Sequence, residues 1–101
     1  MIDLDYQQEL RKAILDLHGC KCLYIETVPV VQCFQGKVVW RGEVEVFELI
    51  DHPKAPRGYA WAYGEAKGSE IVVVLELPPV ISPWTAVQAA NIGKLRERAR
   101  N

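Results

Sequence analysis

Residues 22–50 read CLYIETVPVVQCFQGKVVWRGEVEVFELI: two runs rich in β-branched and aromatic residues on either side of Gln35-Gly36. The pattern predicts one long β-hairpin. With a two-residue loop, Phe34 pairs with Lys37. One face then carries Ile25, Thr27, Pro29, Val31 and Cys33 with Val38, Trp40, Gly42, Val44 and Val46, almost wholly apolar. The other face carries Tyr24, Glu26, Val28, Val30 and Gln32 with Val39, Arg41, Glu43, Glu45 and Phe47. A three-residue loop slips the register by one and sets Ile25 opposite Glu45. Hydrophobic pattern selects register, so the two-residue loop is expected. In that register Pro29 lies opposite Gly42. Proline has no N–H, which predicts that the first strand is an edge strand there, and Gly42 allows a bend or bulge.

The hairpin needs cover, and the flanking sequence supplies it. A helix is expected from Leu4 to Leu17, capped by Asp3 or Asp5 and stopped by Gly19. Leu10, Ala13, Ile14 and Leu17 give it one apolar stripe, extended back by Leu4 or Tyr6. After the hairpin, DHPKAPRG (51–58) is a loop. A third strand is expected over Tyr59–Tyr63 and a fourth over Ile71–Leu77, with GEAKGS (64–69) as the turn between them. IVVVLEL is so continuously apolar that the fourth strand must be interior or covered on both faces. Ser82-Pro83 begins a second helix, which runs to about Arg98. Its small residues Ala86, Ala89, Ala90 and Gly93 suit close approach to Ala60, Ala62 and Gly64, or to the same helix of a second subunit.

The order α-β-β-β-β-α, with strands gathered in the middle, implies an antiparallel four-stranded sheet packed by helices. The expected class is α+β, a two-layer sandwich formed as one domain over residues 1–101. A chain of 101 residues buries a modest core, about 60–65% of its unfolded surface. The formal net charge of −1 creates no global field toward nucleic acid or an acidic membrane. No run of about 18 apolar residues suggests a membrane span. The opening MIDLDYQQELRK is acidic and polar, unlike a signal peptide, so a cytoplasmic location is expected.

In element order the chain resembles cystatin-like and NTF2-like folds, and also the double-stranded-RNA-binding domain. Stretches such as VEVFELIDHPKAPRGYAWAY resemble small uncharacterised bacterial proteins of mobile integron gene cassettes. That group shares no ancestry, so the resemblance implies no activity. Fold likeness likewise carries no function.

Several constellations bear on chemistry. Glu26 and Glu45 directly oppose each other in the expected register, and like charges across a strand pair are destabilising. One carboxyl could then have a raised pKa and act as general acid or base, with His52 as a further candidate. The competing reading is a solvated face relieved by Arg41, and for Asp51-His52-Pro53 a turn element. Trp40, Tyr59, Trp61 and Tyr63, with Arg41, are the expected lining of an aromatic cleft; core packing is the alternative. His18, Cys20, Cys22, Cys33 and His52 do not make a metal site, because Cys33 lies at the far end of the strand and on the opposite face from Cys20 and Cys22. Three cysteines argue for free thiols. No cofactor signature is present. Lys94, Arg96, Arg98 and Arg100 do not share one helix face, and nucleic-acid binding through the second helix is the weakest reading.

The functional expectation is therefore a small binding or interaction module. It is expected to be a homodimer with an aromatic-lined cleft for a small molecule or a protein partner. The alternative is a small enzyme using Glu26 or Glu45, with His52, as acid or base. Because Pro29 guards the edge, dimerisation is expected through packed faces rather than paired edges.

Overall fold

A computed structural model describes residues 3–63 and 70–100, with side chains described for all of these except 63 and 92–100. The elements follow the expected order: α1 (Leu4–His18), β1 (Cys22–Phe34), β2 (Lys37–Leu49), β3 (Arg57–Tyr63), β4 (Glu70–Leu75) and α2 (Pro83–Arg100). The fold is α+β, and the four antiparallel strands lie in the order β1-β2-β3-β4. No described helix is long and apolar enough to cross a membrane.

Local chemistry sets the helix ends. Asp3 caps α1, its Oδ1 accepting from the N–H groups of Asp5 at 2.8 Å and Tyr6 at 3.2 Å. Gly19 closes α1 in the left-handed region at φ 68°, its N–H donating to the Leu15 carbonyl at 2.8 Å. At α2 the Ser82 hydroxyl accepts from the Thr85 N–H at 3.2 Å, and Thr85 Oγ1 accepts from the N–H groups of Ile81 and Ser82. β4 stops at Leu75, short of the expected Leu77, because the Leu77 N–H turns back to the Leu75 carbonyl at 2.8 Å.

The hairpin departs from regular pairing twice. The tip pairs as expected, Phe34 with Lys37 and Cys33 with Val38, and so does the base, with Tyr24 opposite Phe47 and Cys22 opposite Leu49. Between them β2 holds an extra residue at Val39 and β1 an extra residue at Ile25. The two bulges cancel, so only the middle is displaced by one. There Pro29 faces Glu43, Val30 faces Gly42, Thr27 faces Glu45 and Glu26 faces Val46. This corrects the expected Pro29–Gly42 and Glu26–Glu45 pairs. The shifted register is better packed. It turns Val28 and Val30 onto the face of Val44 and Val46 in place of Thr27 and Pro29, and it removes the clash of like charges.

Each face of the sheet has its own core. α1 contributes Leu10 and Ile14, which pack on Cys22, Phe47, Leu49, Ala55 and Ala60. α2 contributes Ala86 and Val87, which join Val30, Val44, Val46, Tyr59 and Trp61 on the other face. Helix-on-sheet packing thus occurs twice. β4 is an edge strand covered on both sides, with Ile71, Val73 and Leu75 toward α1 and Val72 and Val74 toward α2. The small residues of α2 meet bulky aromatics, not Ala60 and Ala62 as expected: Ala86 and Ala90 leave the room that Tyr59 and Trp61 fill. Gly64 and the helix position Gly93 belong to that expectation and lie outside the described residues or side chains.

Candidate functional site

The expected aromatic cleft is not open. Tyr59 and Trp61 are each 1% exposed and form the floor beneath α2. Trp40 is half-buried, its ring tilted 58° against Trp61 at a centroid distance of 5.9 Å. It lies across Gly42, where a Cβ would come within 2.8 Å of the indole. Gly42 therefore serves the tryptophan that crosses it rather than a partner across the hairpin. The Tyr63 side chain is outside the described residues. Arg41 is exposed on the opposite face from Trp40, where it sits across from Val31.

Among the described residues, a pocket of about 280 Å³ opens to solvent at the start of α2. Val28 and Val46 of the hairpin and Tyr59 of β3 form its apolar floor, and Ile81, Ser82, Pro83 and Trp84 form one wall. Glu26 and Arg57 supply charge at its rim. Trp84 is 50% exposed, unusual for the largest apolar side chain. The Tyr59 hydroxyl donates to the Glu76 carboxylate. Burial and this bond hold the tyrosine well above its ordinary pKa, so it remains a neutral donor.

The second polar feature lies across the sheet, under α1. Glu45 is 2% exposed and accepts from the Thr27 hydroxyl at Oε1. Thr27 Oγ1 and the Tyr24 hydroxyl are 2.6 Å apart. Thr27 has one proton and gives it to Glu45, so Tyr24 donates to Thr27. The bulge at Ile25 is what makes this chain: without it Tyr24 and Thr27 would point to opposite faces. Burial pushes the Glu45 carboxyl above the usual carboxylate range; the Thr27 bond opposes this and the neighbouring Glu43 charge adds to it. Among the described residues, β2 and β3 pair from Glu45–Ala60 to Glu48–Arg57. Beyond that point the Ala62 N–H donates to the Tyr6 hydroxyl of α1 at 2.9 Å. Burial, with the charges of Glu45, Glu9 and Glu43, raises the Tyr6 pKa against this bond.

The structure thus separates the two expected carboxylates. Glu26 is exposed at the rim of the pocket on the α2 face, whereas Glu45 is enclosed on the α1 face. His52 joins neither. Its Nδ1 accepts from the N–H groups of Lys54 at 3.1 Å and Ala55 at 2.9 Å, and so caps the turn between β2 and β3. Among the described residues, no group of three His, Cys, Asp or Glu side chains is placed to hold a metal. Cys22 is a buried thiol raised in pKa by burial, against the lowering effect of Arg11. Residues 94–100 belong to α2, but their side chains lie outside those described.

Sequence reasoning missed Trp84, Glu76, Tyr24 and Thr27. Trp84 had a local signal, a large aromatic in the first turn of a helix just behind its serine cap. The Tyr24–Thr27 chain had none, because it depends on a bulge. No family model matches the chain, nor does any curated protein or solved structure.

Proposed function

We infer that the protein is a small ligand-binding module whose site is the pocket at the start of α2. The carrying observation is the half-exposed Trp84 standing over an apolar floor of Val28, Val46 and Tyr59, with Arg57 and Glu26 at the rim. Small-molecule sites combine apolar and aromatic walls with a few polar groups in this way. The volume suits a ligand of amino-acid size with an aromatic or branched apolar body and a charged head. The body would stack on Trp84 and the head would reach Arg57 or Glu26. The test is a thermal-shift and fluorescence screen with small aromatic and aliphatic carboxylates, amines and zwitterions. A true ligand raises the melting temperature of the wild type and loses most of that effect in Trp84→Ala and Arg57→Ala. If no compound shifts the wild type, or the two variants respond equally well, the reading fails.

A second reading, acid–base chemistry at Glu45, is favoured by its enclosed carboxyl at the end of the Tyr24–Thr27 chain. It requires a carboxyl that titrates above the ordinary range. Equal pH dependence of stability in the wild type and Glu45→Gln would remove it.

A further inference from the structure

The pocket at the start of α2 carries two opposite charges beside its apolar walls. Glu26 stands on β1 and Arg57 begins β3, with β2 between them. Glu26 faces Val46, and Val46 in turn faces Tyr59, so these residues form one row across the sheet. Arg57 lies two residues before Tyr59 on the same strand, hence on the same face in the next row. Two strand spacings and one row put the backbones of Glu26 and Arg57 about 12 Å apart. Among the described residues that line the pocket, Glu26 is the one anion and Arg57 the one cation. Both are exposed, and no ion pair joins either of them to another described side chain. The Glu76 carboxylate nearby is engaged by the Tyr59 hydroxyl.

Granted that this pocket is the ligand site, we propose that its ligand is a zwitterion: a free α-amino acid with an apolar side chain. Its carboxylate meets Arg57, its ammonium meets Glu26 and its side chain packs on Trp84. A purely anionic ligand satisfies Arg57 but is repelled by Glu26, and a purely cationic one reverses the conflict. A head group with both charges offers each rim residue the opposite sign. The arginine fork suits a carboxylate, to which it can give two parallel hydrogen bonds. The glutamate accepts from an ammonium, which is a donor only.

An α-amino acid bears both charges and its apolar body on one carbon. It therefore presents three groups to three features of the pocket: a cation, an anion and an aromatic wall. The body covers Trp84, which is 50% exposed, and rests on the floor of Val28 and Tyr59. A volume of about 280 Å³ suits one such molecule. A peptide fits the rim less well, because its two terminal charges stand at opposite ends and an internal residue has neither.

Calorimetric titration of the full chain with shape-matched compounds tests this. The aromatic series is L-phenylalanine, phenethylamine (ammonium only) and 3-phenylpropionate (carboxylate only). The branched series is L-leucine, isopentylamine and 4-methylpentanoate. In at least one series the amino acid should bind, with both one-charge analogues about tenfold weaker. Glu26→Gln should bring the amino acid down to the level of its carboxylate analogue and keep its preference over the amine. Arg57→Gln should do the reverse. Both positions are exposed, and circular dichroism checks that the fold is kept. A one-charge analogue that binds the wild type as tightly as the amino acid overturns the proposal, as does a variant that keeps both preferences. The pocket reading survives either result if Trp84→Ala weakens binding. Absence of binding by every compound of both series also overturns the proposal. The pocket reading fails with it only if the wider thermal-shift screen is blank as well.

Discussion

Glu45 is the residue at which burial and charge most directly oppose each other. The carboxylate sits 2% exposed under α1, next to the negative Glu43, and its hydrogen bond comes from a neutral hydroxyl. Its folded-state pKa is raised, so the folded protein holds the proton more tightly than the unfolded chain does. Ionised Glu45 therefore costs stability, and that cost is full above the raised pKa. It fades as pH falls through the raised value toward the ordinary value of about 4.3. Glutamine keeps an acceptor for Thr27 and removes the charge. Glu45→Gln should then be more stable than the wild type at neutral and alkaline pH, by about 1 kcal/mol. The advantage should shrink on acidification to the ordinary carboxylate range. Urea unfolding of both proteins across pH measures this. A variant less stable than the wild type at neutral pH would mean that the ionised carboxylate is satisfied by its surroundings.

The hairpin turn has a similar local conflict at the scale of an element. Gln35 and Gly36 both have positive φ, 52° and 78°, the conformation of a type I′ turn. Glycine adopts it freely, whereas glutamine bears a cost of about 1 kcal/mol. Gln35→Asn fits the Asn-Gly preference and should raise the unfolding free energy by about 0.5–1 kcal/mol, read as a higher urea midpoint with an unchanged slope. No change would show that the hairpin tip contributes nothing to global stability. The turn also shows how far the sequence was legible. Gln-Gly between two β-rich runs located it, and the two-residue loop was right at the tip and at the base. Apolar stripes, Asp3, Gly19 and Ser82-Pro83 located the helices. The middle register was not legible, because nothing in Tyr24-Ile25-Glu26 or Val38-Val39-Trp40 breaks a regular strand pattern. The choice is made by the α2 core, which takes Val28 and Val30. The opposed Glu26 and Glu45 were a genuine signal, but of a bulge. Two like charges placed across a ladder are relieved most simply by slipping the ladder. The choice between cleft and core for Tyr59 and Trp61 was left open for a related reason: alternation shows which side chains share a face, but not whether a small-residue helix will cover them.

At the scale of the whole molecule, one sheet is shared by two separate cores. Leu10 and Ile14 pack against one face and Ala86 and Val87 against the other, with the backbone of β2 and β3 between them. Each helix would leave a bare sheet face if removed, so neither half is a fold by itself, yet the described side chains fall into two separate clusters, one on each side of the strands. This arrangement separates cooperativity from coupling. Ile14→Ala should cost about 2–5 kcal/mol and Val87→Ala about 1–3 kcal/mol, each through a cavity on its own face. A domain of this size has about 5–15 kcal/mol in total. The losses should add to within about 0.5 kcal/mol, because the sites share no partner. Unfolding should nevertheless remain a single transition in both single variants, since loss of either layer exposes strands on which the other depends. Chemical denaturation of the wild type, both singles and the double, followed by fluorescence and by circular dichroism, measures both properties. Two separated transitions would show that one helix detaches while the other keeps the sheet. A coupling well above 1 kcal/mol would show that the strands carry strain from one core to the other, and that the bulges at Ile25 and Val39 link the two faces as well as setting the register.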